Sequence, residues 1–259
     1  MSTAVSPSQA SAVLTSFTNF LTVALHTLLR QRALYPPATF LLARAYNLPV
    51  YQSRHPGVCA WIDDAVDAAA AQLRSGAVRT VALVVHAPSA FAVVERWVFD
   101  LAGALPAHGL AVDERRNEKA KQIDHSDLDD GAVNWADVNE AFRGALARLS
   151  YAAESMPLPP EESTFTLVIE LCDDALPPIE HPQRWIASEP NLQPPTPSNP
   201  TVGSALGGAS TTPLRSVQAG PLFFECWYEK GKPLSASPPY ESPDMQGSAV
   251  PSDTQTQSS

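Results

Sequence analysis

Apolar positions at helical spacing predict three helices along the chain. The first stripe runs from Val13 to Leu29, and Pro36 and Pro37 exclude its continuation. A second helix is predicted over Gly57–Leu73, whose start is favoured by the proline before it. A third is predicted over residues 134–153, where a helical period returns before a run of prolines.

Runs of β-branched and aromatic residues between the helices predict the strands. Residues 78–87 and 91–101 are separated by a short connection, which is typical of a hairpin, and residues 163–172 form the clearest single strand. Residues 216–230 predict one or two strands around a turn at Ala219–Pro221, and two aromatic-bracketed segments after the first helix could pair as short strands. Because helices and strands intermix without strict alternation, the predicted fold class is α+β, with a mainly antiparallel sheet and helices on one face.

The proline content shows that part of the chain lies outside regular structure. The 259 residues include 25 prolines and only 12 glycines, and each proline removes a backbone donor and fixes φ. We therefore expect one ordered domain over residues 11–230. The segments expected to be irregular are a disordered N-terminus (1–10), a long surface loop (103–131), a low-complexity insert (187–212) and a disordered Ser/Pro-rich tail (231–259).

Charge and cysteine content narrow the classes of function. The formal net charge of −10 disfavours a surface that neutralises nucleic-acid phosphates. Cys59, Cys172 and Cys226 are too few and too scattered for a disulfide framework or a zinc site. No apolar run suggests a membrane span and no signal peptide is evident, so we expect a protein of the cytosol or nucleus.

A search for catalytic chemistry finds little. Phosphate-binding glycine loops, a nucleophile elbow and a zinc-protease motif are absent. The acidic segment around Asp124–Gly131 lacks the carboxylate spacing of a calcium loop, and adjacent residues of Asp63-Asp64 and Asp173-Asp174 point apart. No catalytic residue, metal site or cofactor is expected.

Two tryptophans fit a core poorly. The helical companions of Trp61 are Ala65, Ala68 and Gln72, a small and polar row, and Trp185 lies among prolines in an irregular segment. Two interpretations stay open. Either both indoles cap the main core from its edge, or they line a groove for a proline-bearing peptide, since aromatic side chains are enriched among interface anchors.

Several segments, in their order, resemble the HORMA-domain family. They are LYPPATF, YNLPV, the His-Pro that opens the second helix, Trp61 to Asp64, AVVERWVFDL, STFTLVIELC and Trp185-Ile186. The similarity covers roughly residues 11–101 and 134–230. It is greatest to the branch of the family that serves as the non-catalytic subunit of DNA polymerase zeta.

The resemblance implies a clamp for an extended peptide. A C-terminal "safety belt", here residues 173–230, would close over a ligand that adds a strand to the sheet, and the belt could take an open and a closed arrangement. In this branch the ligand is a proline-containing segment of the catalytic subunit, and aromatics at the positions of Tyr35, Trp61 and Trp185 line its groove. Many relatives carry tyrosine at the position of Trp61. The tryptophan here keeps an aromatic face for stacking but lacks the phenolic hydroxyl of tyrosine.

The resemblance also implies further contacts. Arg143 matches an arginine at a HORMA–HORMA dimer contact, although a solvated helix charge is an equal alternative. Thr211, Glu225 and Trp227 lie where relatives contact the scaffold polymerase that recruits polymerase zeta, but they depart from the family pattern. The resulting hypothesis is a non-catalytic nuclear adaptor of translesion DNA synthesis. The alternatives are a spindle-checkpoint HORMA protein and, from another class, a hydrolase or metal enzyme.

Overall fold

The computed structural model describes residues 6–88, 93–102, 133–178, 185–186 and 210–231. The described helices are α1 (Pro7–Gln31), α2 (Pro56–Arg74) and α3 (Trp135–Ser155). The described strands are β1 (Phe40–Ala45), β2 (Leu48–Ser53), β3 (Val78–His86), β4 (Val93–Asp100), β5 (Thr164–Leu171), β6 (Ser210–Ala219) and β7 (Leu222–Lys230). Of the segments that the sequence predicts to be irregular, residues 1–5, 103–131, 187–209 and 232–259 lie outside the described part.

Helix α1 is the central helix of the core. Ser6 caps it: the Ser6 hydroxyl accepts the Gln9 amide, and the Gln9 side chain accepts the Ser6 amide. This capping box starts the helix at Pro7, so residues 7–10 are helical although the sequence places them in a disordered N-terminus. By length and hydropathy Ser8–Gln31 could cross a membrane, but 67% of its most apolar window is buried inside the fold. A helix enclosed in this way is a core helix.

Strands β1 and β2 form a separate antiparallel pair. Their two-residue turn has φ values of 48° at Tyr46 and 56° at Asn47, the geometry of a type I′ hairpin. Phe40 and Val50 of this pair are buried in the main core, next to α1 and α2. The two short strands predicted after the first helix are therefore present and paired.

The main sheet has five antiparallel strands in the order β5-β3-β4-β7-β6. All three helices pack on one face, where alternate residues such as Val81, Phe99 and Phe224 are fully buried. The opposite face carries a smaller apolar cluster around Val84 and Val98. The predicted α+β class, with a mainly antiparallel sheet and three helices on one face, is confirmed.

The C-terminal hairpin begins earlier than the sequence indicates. Strand β6 starts at Ser210, so the last three residues of the predicted insert 187–212 are part of the sheet. Residues at the β6–β7 turn fit the prediction, and Gly220 there has a φ of 60°, which glycine adopts without strain. Pro213 concealed this start, because proline argues against a strand in a sequence; it is tolerated here since β6 is an edge strand paired with β7.

Candidate functional site at the sheet edge

The two edges of the main sheet differ in their capacity to accept another strand. Strand β6 forms one edge, and Pro213 with a register shift between Pro213 and Arg215 interrupts its hydrogen-bonding pattern. Strand β5 forms the other edge and has no proline over Thr164–Leu171. Within the described part of the chain, β5 is paired on one side only, with β3, so its outward amides and carbonyls form a continuous row there. Of these two edges, β5 is the one suited to strand addition.

Three aromatic rings gather at the start of β5. The Phe165 ring lies 5.0 Å from the Trp61 ring and 5.9 Å from the Tyr35 ring, both edge-to-face by centroid distance and angle. Trp61 remains 38% exposed, so one side of its indole faces solvent. The contacts bring Tyr35 from the turn after α1, and Trp61 from the second turn of α2, to the same end of the open edge. We call Tyr35, Trp61 and Phe165 the aromatic cluster.

Helix α2 meets the edge strand β5 at Trp61. Near the beginning of α2, Trp61 contacts Phe165 of β5. Just beyond the end of α2, the Ala77 carbonyl accepts the amide of Cys172, the residue after β5, at 2.8 Å. Between these points the row that starts with Trp61 continues with Ala65, Ala68 and Gln72, as the helical period requires. Trp61 is the one large side chain of this row.

The structure does not join Trp185 to this cluster. Trp185 is half-buried and Ile186 is 90% exposed, and these two residues are described without their neighbours on either side. Among the residues that the structure describes, Trp185 has no ring contact with Tyr35 or Trp61. Phe165, which sequence reasoning overlooked, is the residue that connects the other two. Its position in the predicted strand 163–172 did not distinguish it from the other apolar residues of that strand.

Arg143 lies on the outer side of α3. Its Nη1 donates to Glu140 Oε1 at 2.7 Å, and its side chain is 43% exposed.

A hollow of about 320 Å³ lies further along the helix, between α3 and β6. It is lined by Ala147, Arg148, Tyr151, Ala152, Pro213 and Leu214. The dimer contact predicted for Arg143 stays a prediction.

Thr211, Glu225 and Trp227 all lie on the C-terminal hairpin. Thr211 is exposed opposite Glu229, and the exposed Glu225 accepts the Ser216 hydroxyl at 2.8 Å. Trp227 is half-buried, packs on the helix-free face, and donates from its indole to Glu229 at 2.8 Å. The hairpin occupies the sheet end opposite β5. A partner bound there would leave the open edge free.

The acidic doublets do not form a metal site in the part of the chain that is described. Asp63, Asp64, Asp173 and Asp174 are exposed. No group of three or more His, Cys, Asp or Glu side chains within the described ranges could hold a metal ion. The arrangement at the β5 edge therefore offers backbone hydrogen bonds and aromatic surface, which are the means of binding an extended peptide.

Comparison with known proteins agrees with this architecture. The sequence model of the HORMA-domain family matches residues 13–208 of the chain. The chain is 32% identical over 216 residues to the DNA polymerase zeta processivity subunit of Schizosaccharomyces pombe, which covers 83% of this chain and 91% of that protein. It is also 28% identical over 175 residues to the mitotic spindle assembly checkpoint protein MAD2A of Dictyostelium discoideum, covering 68% of this chain and 75% of that protein.

Solved structures share the fold. A chain in the crystal structure of the mitotic checkpoint complex matches with a TM-score of 0.61 and 18% identity, covering 86% of this chain and 96% of that one. C. elegans HTP-2 bound to HTP-3 closure motif 1 matches with a TM-score of 0.56 and 12% identity, covering 88% of each chain. An antiparallel sheet with three helices on one face is the fold of a HORMA domain. The chain belongs to the HORMA-domain family, and it is similar to the processivity subunit of DNA polymerase zeta.

Proposed function

We propose that this HORMA protein is a non-catalytic accessory subunit of DNA polymerase zeta that acts in translesion synthesis in the nucleus. It clamps a proline-containing segment of the catalytic subunit as an added strand on the outer edge of β5. The 32% identity to the polymerase zeta processivity subunit over 83% of the chain supports this assignment.

The observation that carries the proposal is the open edge of β5 beside the aromatic cluster. An added strand pairs with the outward amides and carbonyls of β5, which supplies affinity independent of sequence. A proline in that strand lacks an amide donor and prefers an extended conformation, so a flat aromatic surface is a suitable contact for its ring. The exposed side of Trp61 provides that surface at the start of the strand.

The path of the chain after β5 supports the safety belt. The chain leaves β5 at one edge of the sheet and returns as β6, at the opposite edge. Residues 173–230 thus include the whole connection that passes the sheet. We propose that this segment closes over the bound strand, so that the ligand dissociates only when the belt detaches. Trp185, within this segment, would contact the ligand in that closed state.

The other predicted contacts complete the proposal. The hairpin residues Thr211, Glu225 and Trp227 would face the recruiting scaffold polymerase, at the end of the sheet away from the ligand. Arg143 would contribute to a HORMA–HORMA dimer through the outer side of α3. The protein would bridge two polymerases without contacting nucleic acid itself.

A second candidate is a spindle-checkpoint function, which the 28% identity to MAD2A of Dictyostelium discoideum favours. That similarity covers 68% of the chain, against 83% for the polymerase zeta subunit. Both candidates use a strand added to the same fold, so the identity of the ligand decides between them.

Fluorescence anisotropy with the purified full chain tests the proposal. The probe is a labelled synthetic peptide of the proline-containing segment of the catalytic subunit from the same organism. Trp61→Ala is expected to weaken binding by about 30-fold, corresponding to the ~2 kcal/mol typical of a lost aromatic anchor. Tyr151→Ala is the matched control, because Tyr151 is 75% exposed on α3 and belongs to another face of the molecule.

Equal affinities of the wild type and Trp61→Ala would refute the groove assignment. Tighter binding of a checkpoint-type peptide than of the polymerase peptide would favour the second candidate. Trp185→Ala, measured in the same series, tests whether the belt segment contributes a second aromatic contact.

A further inference from the structure

The sequence favours a polyproline II backbone at the start of the connection between α3 and β5. Met156, directly after α3, has φ −83° and ψ 147°. Pro157, Pro159 and Pro160 each have φ fixed near the polyproline value by the ring. Each residue that precedes one of these prolines is also restricted to extended conformations. The sequence therefore holds Met156–Pro160 in this conformation without help from a partner.

Hydrogen bonds fix this segment at both ends. The buried Arg32 guanidinium donates from Nη1 to the carbonyls of Ala153 and Met156, at 2.7 and 3.1 Å, and from Nη2 to the carbonyl of Pro157. At the other end Ser163 donates to the Pro160 carbonyl from its amide, at 3.2 Å, and from its hydroxyl, at 2.7 Å. A segment held in this way loses little conformational entropy when another molecule binds it.

Two of the three edges of this helix face solvent. With three residues per turn, Pro157 and Pro160 share one edge, Leu158 lies on the second and Pro159 on the third. Pro157 and Pro160 are exposed and Leu158 is 62% exposed, whereas Pro159 is half-buried. A domain with an aromatic groove could contact both outward edges, while the third edge rests on the molecule.

The flanking charge is negative. Glu154 precedes the segment, and Glu161 and Glu162 follow it, all three exposed. Within the described ranges none of these carboxylates forms an ion pair. A complementary partner would carry basic side chains beside its groove.

We propose that Met156–Pro160 is a docking element for a polyproline-recognition domain of another protein, one with an aromatic-lined groove and a basic rim. Such grooves, found in SH3, WW and EVH1 domains, bind a preformed polyproline II helix. The site shares no residue with β5, the aromatic cluster or the C-terminal hairpin, and the proposal does not depend on which peptide the HORMA module clamps.

Surface plasmon resonance with purified SH3, WW and EVH1 domains, including members with basic groove rims, tests the proposal against the full chain. At least one basic-rimmed domain is expected to bind the wild type. Leu158→Ser/Pro160→Ala is expected to weaken that binding by about tenfold or more, as is typical when anchor residues are lost. Glu161→Gln/Glu162→Gln is expected to weaken it less and to reduce its salt dependence. Leu158→Ser alone alters only an exposed side chain and serves if the double variant fails to fold.

Pro194→Ala/Pro195→Ala is the matched control, because it removes prolines from another proline-rich stretch of the chain. It is expected to bind like the wild type, and so is Trp61→Ala. The proposal is wrong if no tested domain binds the wild type below about 1 mM, a limit beyond which a contact is hardly specific. It is equally wrong if Leu158→Ser/Pro160→Ala binds as tightly as the wild type, or if only Pro194→Ala/Pro195→Ala loses binding.

Discussion

Arg32 and Glu95 form a bidentate ion pair inside the core. Arg32 Nε lies 2.9 Å from Glu95 Oε1, and Nη2 lies 3.0 Å from Oε2. Their side chains are 0% and 3% exposed. The Trp97 indole also donates to Glu95 Oε1, at 3.1 Å. The pair links the end of α1 to β4, and the same guanidinium holds the chain after α3, so a single buried cation connects three elements.

Arg32→Met is expected to lower the free energy of unfolding by about 3–5 kcal/mol, since it leaves the Glu95 carboxylate buried without its cation. Urea unfolding followed by circular dichroism measures the change. Arg30→Met is the matched control: Arg30 lies two residues away, and its guanidinium stacks 4.8 Å from the Tyr51 ring centroid. Such a cation–π contact contributes only about 0.5–1 kcal/mol at a partly exposed site. Similar losses in both variants would contradict the assigned role of Arg32.

The double variant Arg32→Met/Glu95→Met is expected to recover part of the stability lost in Arg32→Met. Removing the uncompensated carboxylate abolishes the largest penalty, while the carbonyls of Ala153, Met156 and Pro157 remain without their donor. The same unfolding assay gives the coupling free energy of the pair by a double-mutant cycle. A double variant less stable than Arg32→Met would show that the ion pair is not the dominant interaction.

The sequence could predict the helices, most of the strands and the fold class, because a helix or strand leaves a local period of apolar residues. It could not predict the pair of Arg32 with Glu95. Arg32 stands at the end of a predicted helix, where an exposed arginine is ordinary, and its partner is 63 positions away. Only the packing of α1 on the sheet brings the two together.

The sequence likewise predicted only part of the candidate site. The small and polar residues that follow Trp61 at helical spacing indicated that its position in the helix is unusual. The family resemblance implied that Tyr35 lines the same groove. Phe165, which touches both rings, had no distinctive local signal, since an inward phenylalanine is common in any buried strand. Contacts between α2 and β5 depend on tertiary packing, which periodicity does not encode.

Hydrogen exchange should distinguish the two sheet edges. In the free protein, the outward amides of β5 are expected to exchange faster than those of the central strand β3, since among the described strands β5 is paired with β3 alone. Adding the polymerase peptide should slow exchange in β5 and leave β6 unchanged. Mass spectrometry of pepsin fragments measures both. Protection that appears in β6 instead would place the ligand at the wrong edge for the proposed clamp.

Gly231→Ala is expected to destabilise the attachment of the C-terminal hairpin. A Cβ at Gly231 would lie 2.0 Å from the Val93 carbonyl oxygen, and the Gly231 amide donates to the Val94 carbonyl at 2.6 Å. Because the neighbour is backbone, β7 has to move away from β4, at a cost of about 1–3 kcal/mol. Thermal unfolding and hydrogen exchange of β7 measure the effect.

Gly144→Ala is the control for this substitution. The three atoms nearest to its Cβ would all belong to the guanidinium of Arg215, the end of a flexible side chain, with the nearest at 2.5 Å. Alanine is also favoured over glycine inside a helix by about 1 kcal/mol. We therefore expect no loss of stability at this position. If Gly231→Ala were equally harmless, the close approach of β7 to β4 would not be important for the hairpin.

His26 should make the stability of the protein depend on pH. The imidazole is buried beside β2, and its Nδ1 accepts the Ser53 amide at 3.3 Å, which requires that nitrogen to be unprotonated. Burial lowers the pKa of His26 below 6.5, and the nearby Asp63 offsets part of this shift. Below pH 6.5 the unfolded chain therefore binds a proton more readily than the folded protein. The free energy of unfolding should fall as pH decreases from about 6.5 through the folded pKa, by at most about 1.4 kcal/mol per pH unit.

In His26→Asn, whose side-chain oxygen can still accept the Ser53 amide, this part of the slope should vanish, whereas it should persist in a variant of the exposed His55. Urea unfolding between pH 5 and 8 compares the three proteins. Parallel curves for the wild type and His26→Asn would exclude His26 as the source of the dependence.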